Sequence, residues 1–106
     1  MDIAAIAALA PVIPVLTIDK VSDAVPLARA LVKGGLRVLE VTLRTGAALD
    51  AIAAIARDVP DAVVGAGTVL DETQLRHVQH AGARFGVSPG CTRALASATR
   101  AATFAW

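Results

Sequence analysis

The sequence predicts an α/β fold assembled from consecutive parallel βα units, and three observations carry that reading. Short apolar runs rich in β-branched residues alternate with amphipathic helical runs along the chain. The alternation repeats about every 25 residues, the length of one strand plus its crossover helix. The first strand run is apolar on both faces, as in a parallel sheet, and not half polar as in a sandwich. Such units close either as a doubly wound open sheet or as part of a (βα) barrel. In both, the functional face lies at the carboxyl ends of the strands.

Residues 2–9 have the composition of a short Ala-rich helix that stops before Pro11. Residues 12–18 form the first expected strand, buried on both faces, with Pro14 near its start or at a gap in the ladder because it has no N–H to donate. Ser22 is the expected N-cap of the next helix, with Pro26 near the first turn, where a missing N–H costs least. Val21, Ala24, Val25, Ala28, Leu31 and Val32 make its apolar stripe, and Gly34-Gly35 ends it. The second strand covers residues 37–45. After the Thr45-Gly46 turn, Ala48, Leu49, Ile52, Ile55 and Ala56 mark a helix closed by Pro60. Residues 62–68 form a third strand with a glycine-rich end. Asp71-Glu72-Thr73-Gln74 has the form of a capping box and opens a helix with Leu75, Val78 and Ala81 inward and Gly82 at its close. Phe85-Gly86-Val87 is a short fourth strand running into the Ser88-Pro89-Gly90 turn, and Thr92 caps a last helix to about residue 98.

At 106 residues the chain is one domain, large enough for a hydrophobic core but small for a whole α/β barrel. Apolar residues make up 56% and aromatics 3%, which excludes a disordered chain and leaves little to stack on bases. A net charge of +1 gives no basic footprint, so no nucleic acid partner is expected. Charges or prolines interrupt every apolar run before the roughly 18 residues of a membrane span, so no membrane partner is expected either. The first ten residues begin with Asp2 and lack a basic region, unlike a secretory signal. A lone Cys91 excludes an internal disulfide framework and fits a cytoplasmic location; it reads as a small packed residue.

The chemistry concentrates in Arg37-Val38-Leu39-Glu40-Val41-Thr42-Leu43-Arg44-Thr45. Strand alternation puts Val38, Glu40, Thr42 and Arg44 on one side and the purely apolar Leu39, Val41 and Leu43 on the other. Glu40 and Arg44 stand about 13 Å apart at strand rise, two stations of one site and not an ion pair. A carboxylate held among Val38, Thr42 and neighbouring apolar strands is desolvated, which raises its pKa toward the range of a general base. Arg44 at the strand end is able to fork onto a carboxylate or phosphate arriving from solvent. For a strand in isolation, a solvated Glu40 is the simpler reading. The glycines at the end of the third strand let a ligand approach the backbone. Gly65-Ala66-Gly67 begins like a dinucleotide fingerprint, but Leu70 stands in the third glycine's place and no ribose-binding acid follows. His77 and His80 share a helix face without a carboxylate or thiol to complete a metal set, so a solvated face and no metal are expected. Lys20 and Lys33 read as surface charges.

Residues 15–18, 37–45, 64–70 (Val-Gly-Ala-Gly-Thr-Val-Leu) and 88–90 (Ser-Pro-Gly), in this order and spacing, resemble the amino-terminal half of the bacterial 2-keto-3-deoxy-6-phosphogluconate (KDPG) and 4-hydroxy-2-oxoglutarate (KHG) aldolases. The similarity runs to about residue 99, with residues 100–106 a divergent tail. It implies the N-terminal half of a (βα)8 TIM barrel, about four βα units in one partial domain spanning residues 1–106. It further implies a class I aldolase, trimeric and without cofactor, that releases pyruvate through a Schiff base. Glu40 matches the family's general acid/base, Arg44 its contact to the substrate carboxylate, and Thr68 another contact in the pyruvate site. Lys20 and Lys33 match neither the motif nor the position of the imine-forming lysine. The chain is therefore expected to lack a Schiff-base lysine and to be inactive alone. Four strands leave two open edges and an apolar inner face, which favour self-association or pairing with a missing half. A non-catalytic half-barrel that associates through that surface is the alternative reading, and a small phosphate- or nucleotide-binding module a third.

Overall fold

Three runs of mostly β-branched or small residues pair side by side into a parallel sheet, and the helices between them all pack on one side of it. The computed structural model describes residues 2–9, 12–90, 92–101 and 105–106. The strands are β1 (Val15–Leu16), β2 (Val38–Thr42) and β3 (Val63–Gly67), in spatial order β1-β2-β3. The helices are α1 (Ile3–Ala7), α2 (Val21–Lys33), α3 (Ala48–Asp58), α4 (Glu72–Ala81) and α5 (Arg93–Ala101). The ladder continues past β3. Arg84 N–H donates to the Val64 carbonyl at 2.8 Å, Val87 N–H to that of Ala66 at 2.9 Å, and Gly86 N–H to that of Ala105 at 2.9 Å. Gly86 bridges Ala66 and Ala105 bridges Phe85, both in the parallel sense. Each step thus follows chain order, the curl of a barrel wall.

The two faces of the sheet have separate cores. Leu39, Val41, Val64 and Ala66 point outward into one cluster with Ala24 and Ala28 of α2, Ile52 and Ile55 of α3, Leu75 and Val78 of α4 and Leu95 of α5. Val38, Val63 and Phe85 point inward and join Ile6 of α1 and Ala105 in a second, smaller cluster. Because Val38 and Val63 open their strands, α1 plugs the amino-terminal end of the inner face. Asp2 fixes this helix by accepting the Ala5 N–H at 2.8 Å.

Local chemistry sets the ends of the crossover helices. Gly35, at φ 99°, follows α2 in the left-handed region; its N–H reaches the Val32 carbonyl and Leu36 N–H the Leu31 carbonyl, a Schellman closure. Asp71 caps α4 by accepting the Gln74 N–H at 2.8 Å, while the Gln74 side chain accepts from Leu70 N–H, one residue earlier than in the standard capping box. Gly82 ends α4 at φ 107°. Thr92 caps α5 through the Leu95 N–H.

Several expectations are corrected. The first strand is two residues long and is not buried on both faces: Val15 is 61% exposed and Val12 is exposed as well. Val15 pairs with Glu40 and so faces inward, where no helix covers it. Pro14 contributes its carbonyl alone, accepting the Glu40 N–H at 3.0 Å. Lys20 and not Ser22 occupies the N-cap of α2, without a side-chain bond, and Pro26 lies a turn inside the helix. There it removes the donor for the Ser22 carbonyl, which its exposed position lets water satisfy. The second strand stops at Thr42, with Arg44 in the following turn. Phe85 and Gly86 make single bridges instead of a full strand, and α5 runs past residue 98 to Ala101. Pro11 and Cys91 lie outside the described residues.

Gly65 shows how tightly the inner cluster fits. A Cβ there would sit 2.3 Å from the tip of the Phe85 ring, which is fully buried and has nowhere to turn. Gly65→Ala is expected to destabilise the fold by about 1–3 kcal/mol through overpacking, read as a lower urea midpoint with unchanged slope; an unchanged midpoint would show the ring free to move.

Candidate functional site at the carboxyl end of the sheet

The site begins with the alternation in β2. Since Leu39 and Val41 are drawn into the outer core, Val38, Glu40 and Thr42 must face inward. Val38 belongs to the apolar floor, and Glu40 is the first polar side chain above it, only 9% exposed. Its register partners are Val15 on one side and Gly65 on the other. Burial pushes the Glu40 carboxyl above the ordinary carboxylate value, and the positive charge of Arg44 pulls it partway back. Arg44 therefore acts on Glu40 electrically, although an extended strand would have carried it about 13 Å away. The chain leaves the strand at Thr42, and the turn keeps Arg44 exposed but within the reach of its field.

The backbone gathers the remaining residues. Leu43 N–H donates to the Gly67 carbonyl at 2.9 Å, so the turn bearing Arg44 starts beside the residue before Thr68. Thr68 has φ 61°, among the described residues the one non-glycine in the left-handed region. For a β-branched residue that conformation costs about 1–2 kcal/mol, and strain of this kind concentrates at functional positions. Val69 N–H donates to the Val87 carbonyl at 3.2 Å and brings the Ser88-Pro89-Gly90 turn to the same end. Beside them the Thr45 hydroxyl donates to the Ile18 carbonyl, and that of Thr42 reaches the Leu16 carbonyl at 3.4 Å; the two bonds tie the β2 turn to the segment after β1.

Glu40, Arg44 and Thr68 thus converge at one end of the sheet. His77 and His80 do not. They are exposed on α4 and border an outer groove of about 610 Å³ with Leu49, Asp50 and Arg76. Among the described residues no group of three His, Cys, Asp or Glu side chains is placed to hold a metal ion. Lys20 precedes α2 and Lys33 lies in its last turn, both exposed.

The strand's glycines have a different use from the one expected. Gly65 is covered by the Phe85 ring, and a Cβ on Gly67 would meet the Glu40 carboxyl carbon and one of its oxygens at 2.9 Å. They accommodate the chain's own side chains. The signal was present in the sequence as two glycines at period two on the face that also carries Glu40; it lacked only the register.

A partly desolvated carboxyl beside a guanidinium is chemically suited to proton transfer near an anionic ligand, since a guanidinium can hold an anion and a carboxyl with a raised pKa can give up and retake a proton. The comparisons with known proteins establish the family. A model of the KDPG and KHG aldolase family matches residues 3–106. The chain belongs to that family. It is 58% identical over 93 residues to the KHG/KDPG aldolase of Escherichia coli and 62% identical over 88 residues to the 2-dehydro-3-deoxy-phosphogluconate aldolase of Pseudoalteromonas atlantica. These alignments cover 88% and 83% of this chain but 44% and 41% of the relatives. The crystal structure of 2-keto-3-deoxy-6-phosphogluconate aldolase from Zymomonas mobilis superposes with a TM-score of 0.94 at 54% identity, over 99% of this chain and 50% of that one. The aldolase of Legionella pneumophila, solved with pyruvate captured as a covalent carbinolamine, superposes with a TM-score of 0.91 at 48% identity, over 95% and 49%. The chain spans about half the length of the relatives it matches, and its fold is the amino-terminal part of their TIM barrel. No helix among the described residues is long and apolar enough to cross a membrane.

The raised carboxyl has a consequence for stability. A group that binds its proton more tightly folded than unfolded stabilises the fold fully below its unfolded pKa, and that contribution is lost as pH rises through the folded value. Glu40→Gln, which keeps the shape without the buried charge, is therefore expected to be more stable than the native chain at pH 7, with the difference vanishing below pH of about 4. Thermal melts across that range check it; a variant less stable at neutral pH would show the charge to be well solvated.

Proposed function

We propose that this chain supplies Glu40, Arg44 and Thr68 to the site of a class I aldolase. That enzyme cleaves 2-keto-3-deoxy-6-phosphogluconate to pyruvate and glyceraldehyde 3-phosphate, or 4-hydroxy-2-oxoglutarate to pyruvate and glyoxylate. The observation that carries the reading is the buried Glu40 carboxyl, held on the inner face with a raised pKa beside the turn that bears Arg44. In this reaction an amine adds to the substrate carbonyl, the carbinolamine loses water, and the resulting iminium takes up the electron pair of the breaking C–C bond. Each stage moves a proton, and Glu40 is the group that moves it; Arg44 holds the substrate carboxylate, and Thr68 lines the pyruvate site. The covalent carbinolamine in the Legionella aldolase supports the imine route.

The lysine that forms the imine is neither Lys20 nor Lys33. Both are exposed at the two ends of α2, and the lysine belongs to the half of the barrel these residues do not supply. By itself the chain forms no imine. The reading extends to a single partial-barrel domain, a cytoplasmic location and, for the complete barrel, a trimer.

A hybrid barrel tests the assignment. With residues 1–99 joined to the second half of the Zymomonas enzyme, aldol cleavage is expected. Glu40→Gln is then expected to lower kcat by about 10²- to 10⁴-fold, the usual contribution of a general acid or base, with little change in KM. An unchanged kcat would remove Glu40 from the mechanism. Pyruvate and borohydride should leave the mass of the 106-residue chain unaltered, whereas a stable adduct on Lys20 or Lys33 would overturn the lysine assignment.

One observation favours a second reading, a half-barrel that associates through its inner face. Val15, Val12 and Leu70 are all exposed beside or near that face. Sedimentation should then show a mass that rises with concentration; a monodisperse monomer at micromolar concentration would end this reading.

A further inference from the structure

The inner face of β3 consists of Val63, Gly65 and Gly67, one large residue and then two without side chains. The gaps are filled from the neighbouring strands. The Phe85 ring lies over Gly65, the residue opposite Glu40 in the ladder, and extends the apolar floor formed by Val38 and Val63. The carboxyl of Glu40 leans along the sheet toward the carboxyl end and comes to rest over Gly67, where a Cβ would stand 2.9 Å from Cδ and from Oε2 and 3.2 Å from Cγ. All three distances are shorter than ordinary carbon–carbon or carbon–oxygen contact. The native orientation of the Glu40 side chain therefore requires that residue 67 have no side chain.

We propose that Gly67 is a positioning residue for Glu40, its bare backbone holding the carboxyl at the boundary between the apolar floor and the open end of the site. The inference rests on the assignment of Glu40 as the proton-transfer group and extends it to what fixes that group in place. A methyl group at residue 67 displaces the carboxyl, and the direction is set by the surroundings. Toward the floor, Phe85, Val38 and Val63 are closely packed and nearly inaccessible. On the other side Val15 is open to water, and Arg44 lies beyond the strand end. The carboxyl moves outward, into water and toward the guanidinium. Because the obstructed atoms are the far end of a flexible side chain, the fold itself is little affected. The orientation and hydration of the acid change while the core stays intact.

The sequence makes the test simple, since Glu40 and Glu72 are its two glutamates. With the 106-residue chain carrying ¹³C at the glutamate carboxyls, NMR titration follows Glu40 directly. In the native chain Glu40 is expected to titrate above the ordinary glutamate value. In Gly67→Ala its midpoint is expected to move down toward that ordinary value, with little loss of thermal stability. Gly82→Ala, which strains a left-handed residue and meets Ala56 Cβ at 2.8 Å in the outer layer, is expected to lose stability and leave the Glu40 midpoint in place. A Glu40 midpoint unaltered by Gly67→Ala overturns the inference. If Gly67→Ala does not fold, the clash predicts rescue by Glu40→Asp, whose carboxyl is drawn back by one methylene; failure of that rescue also overturns it. In the hybrid barrel, a shifted midpoint with undiminished kcat would uphold the positioning role of Gly67 and count against Glu40 as the acid/base, so the two assignments fail separately.

Discussion

The parallel ladder between β2 and β3 is the constraint on which the rest of the structure depends. Its five register pairs place Val38 against Val63, Glu40 against Gly65 and Thr42 against Gly67 on the inner face. Neighbouring strands lie about 4.8 Å apart, so a long side chain leaning across the sheet needs a small partner. Glycine at Gly65 and Gly67 makes room for the Phe85 ring below and the Glu40 carboxyl above. A one-residue slip would put Ala66 and Val64 on that face, send Gly65 into the outer core and leave no place for either group.

The same ladder divides the protein into two kinds of surface. Outward, Leu39, Val41, Val64 and Ala66 are fully covered by α2 to α5, each helix packing on the next in chain order. Inward, cover is graded. It is complete at the amino-terminal end, where Ile6 meets Val38, Val63 and Phe85, and gives way near the carboxyl end, where Val15 meets water. Glu40 lies on that gradient. Deeper, its charge would be too costly without a partner; farther out, it would keep an ordinary carboxylate pKa. Arg44 limits the effect of burial by drawing the carboxyl back toward ionisation.

Position on that gradient also explains why the site consists of backbone turns as much as side chains. Arg44, Thr68 and Ser88 each follow the last paired residue of successive segments, and the bonds from Leu43 to Gly67 and from Val69 to Val87 set their relative heights. The outer layer is secured separately by caps at Asp71 and Thr92 and by glycine closures after α2 and α4. The strained Thr68 is thus carried by a scaffold whose own ends are relaxed.

The sequence by itself determined the order of strands and helices, the parallel βα architecture, the family and the division of β2 into an apolar and a mixed face. These follow from local period and from turn and cap chemistry, which act over a few residues: Gly34-Gly35 and Asp71 to Gln74 end or begin helices wherever they stand. Tertiary structure decided what depends on neighbours distant in the chain. Residues 12–18 read as a buried strand because they are apolar, but Val15 is exposed because nothing covers the inner face beside it. Ser22 has the chemistry of a cap, yet the N-cap is Lys20, two residues earlier. Strand alternation alone places Arg44 on the Glu40 face, but the strand ends at Thr42, and from the following turn the Arg44 charge still acts on Glu40. The glycines of β3 signalled closeness to something, and only the register named Phe85 and Glu40 as what comes close. Period and propensity are properties of the chain, whereas burial, field and steric contact belong to pairs of segments that folding brings together.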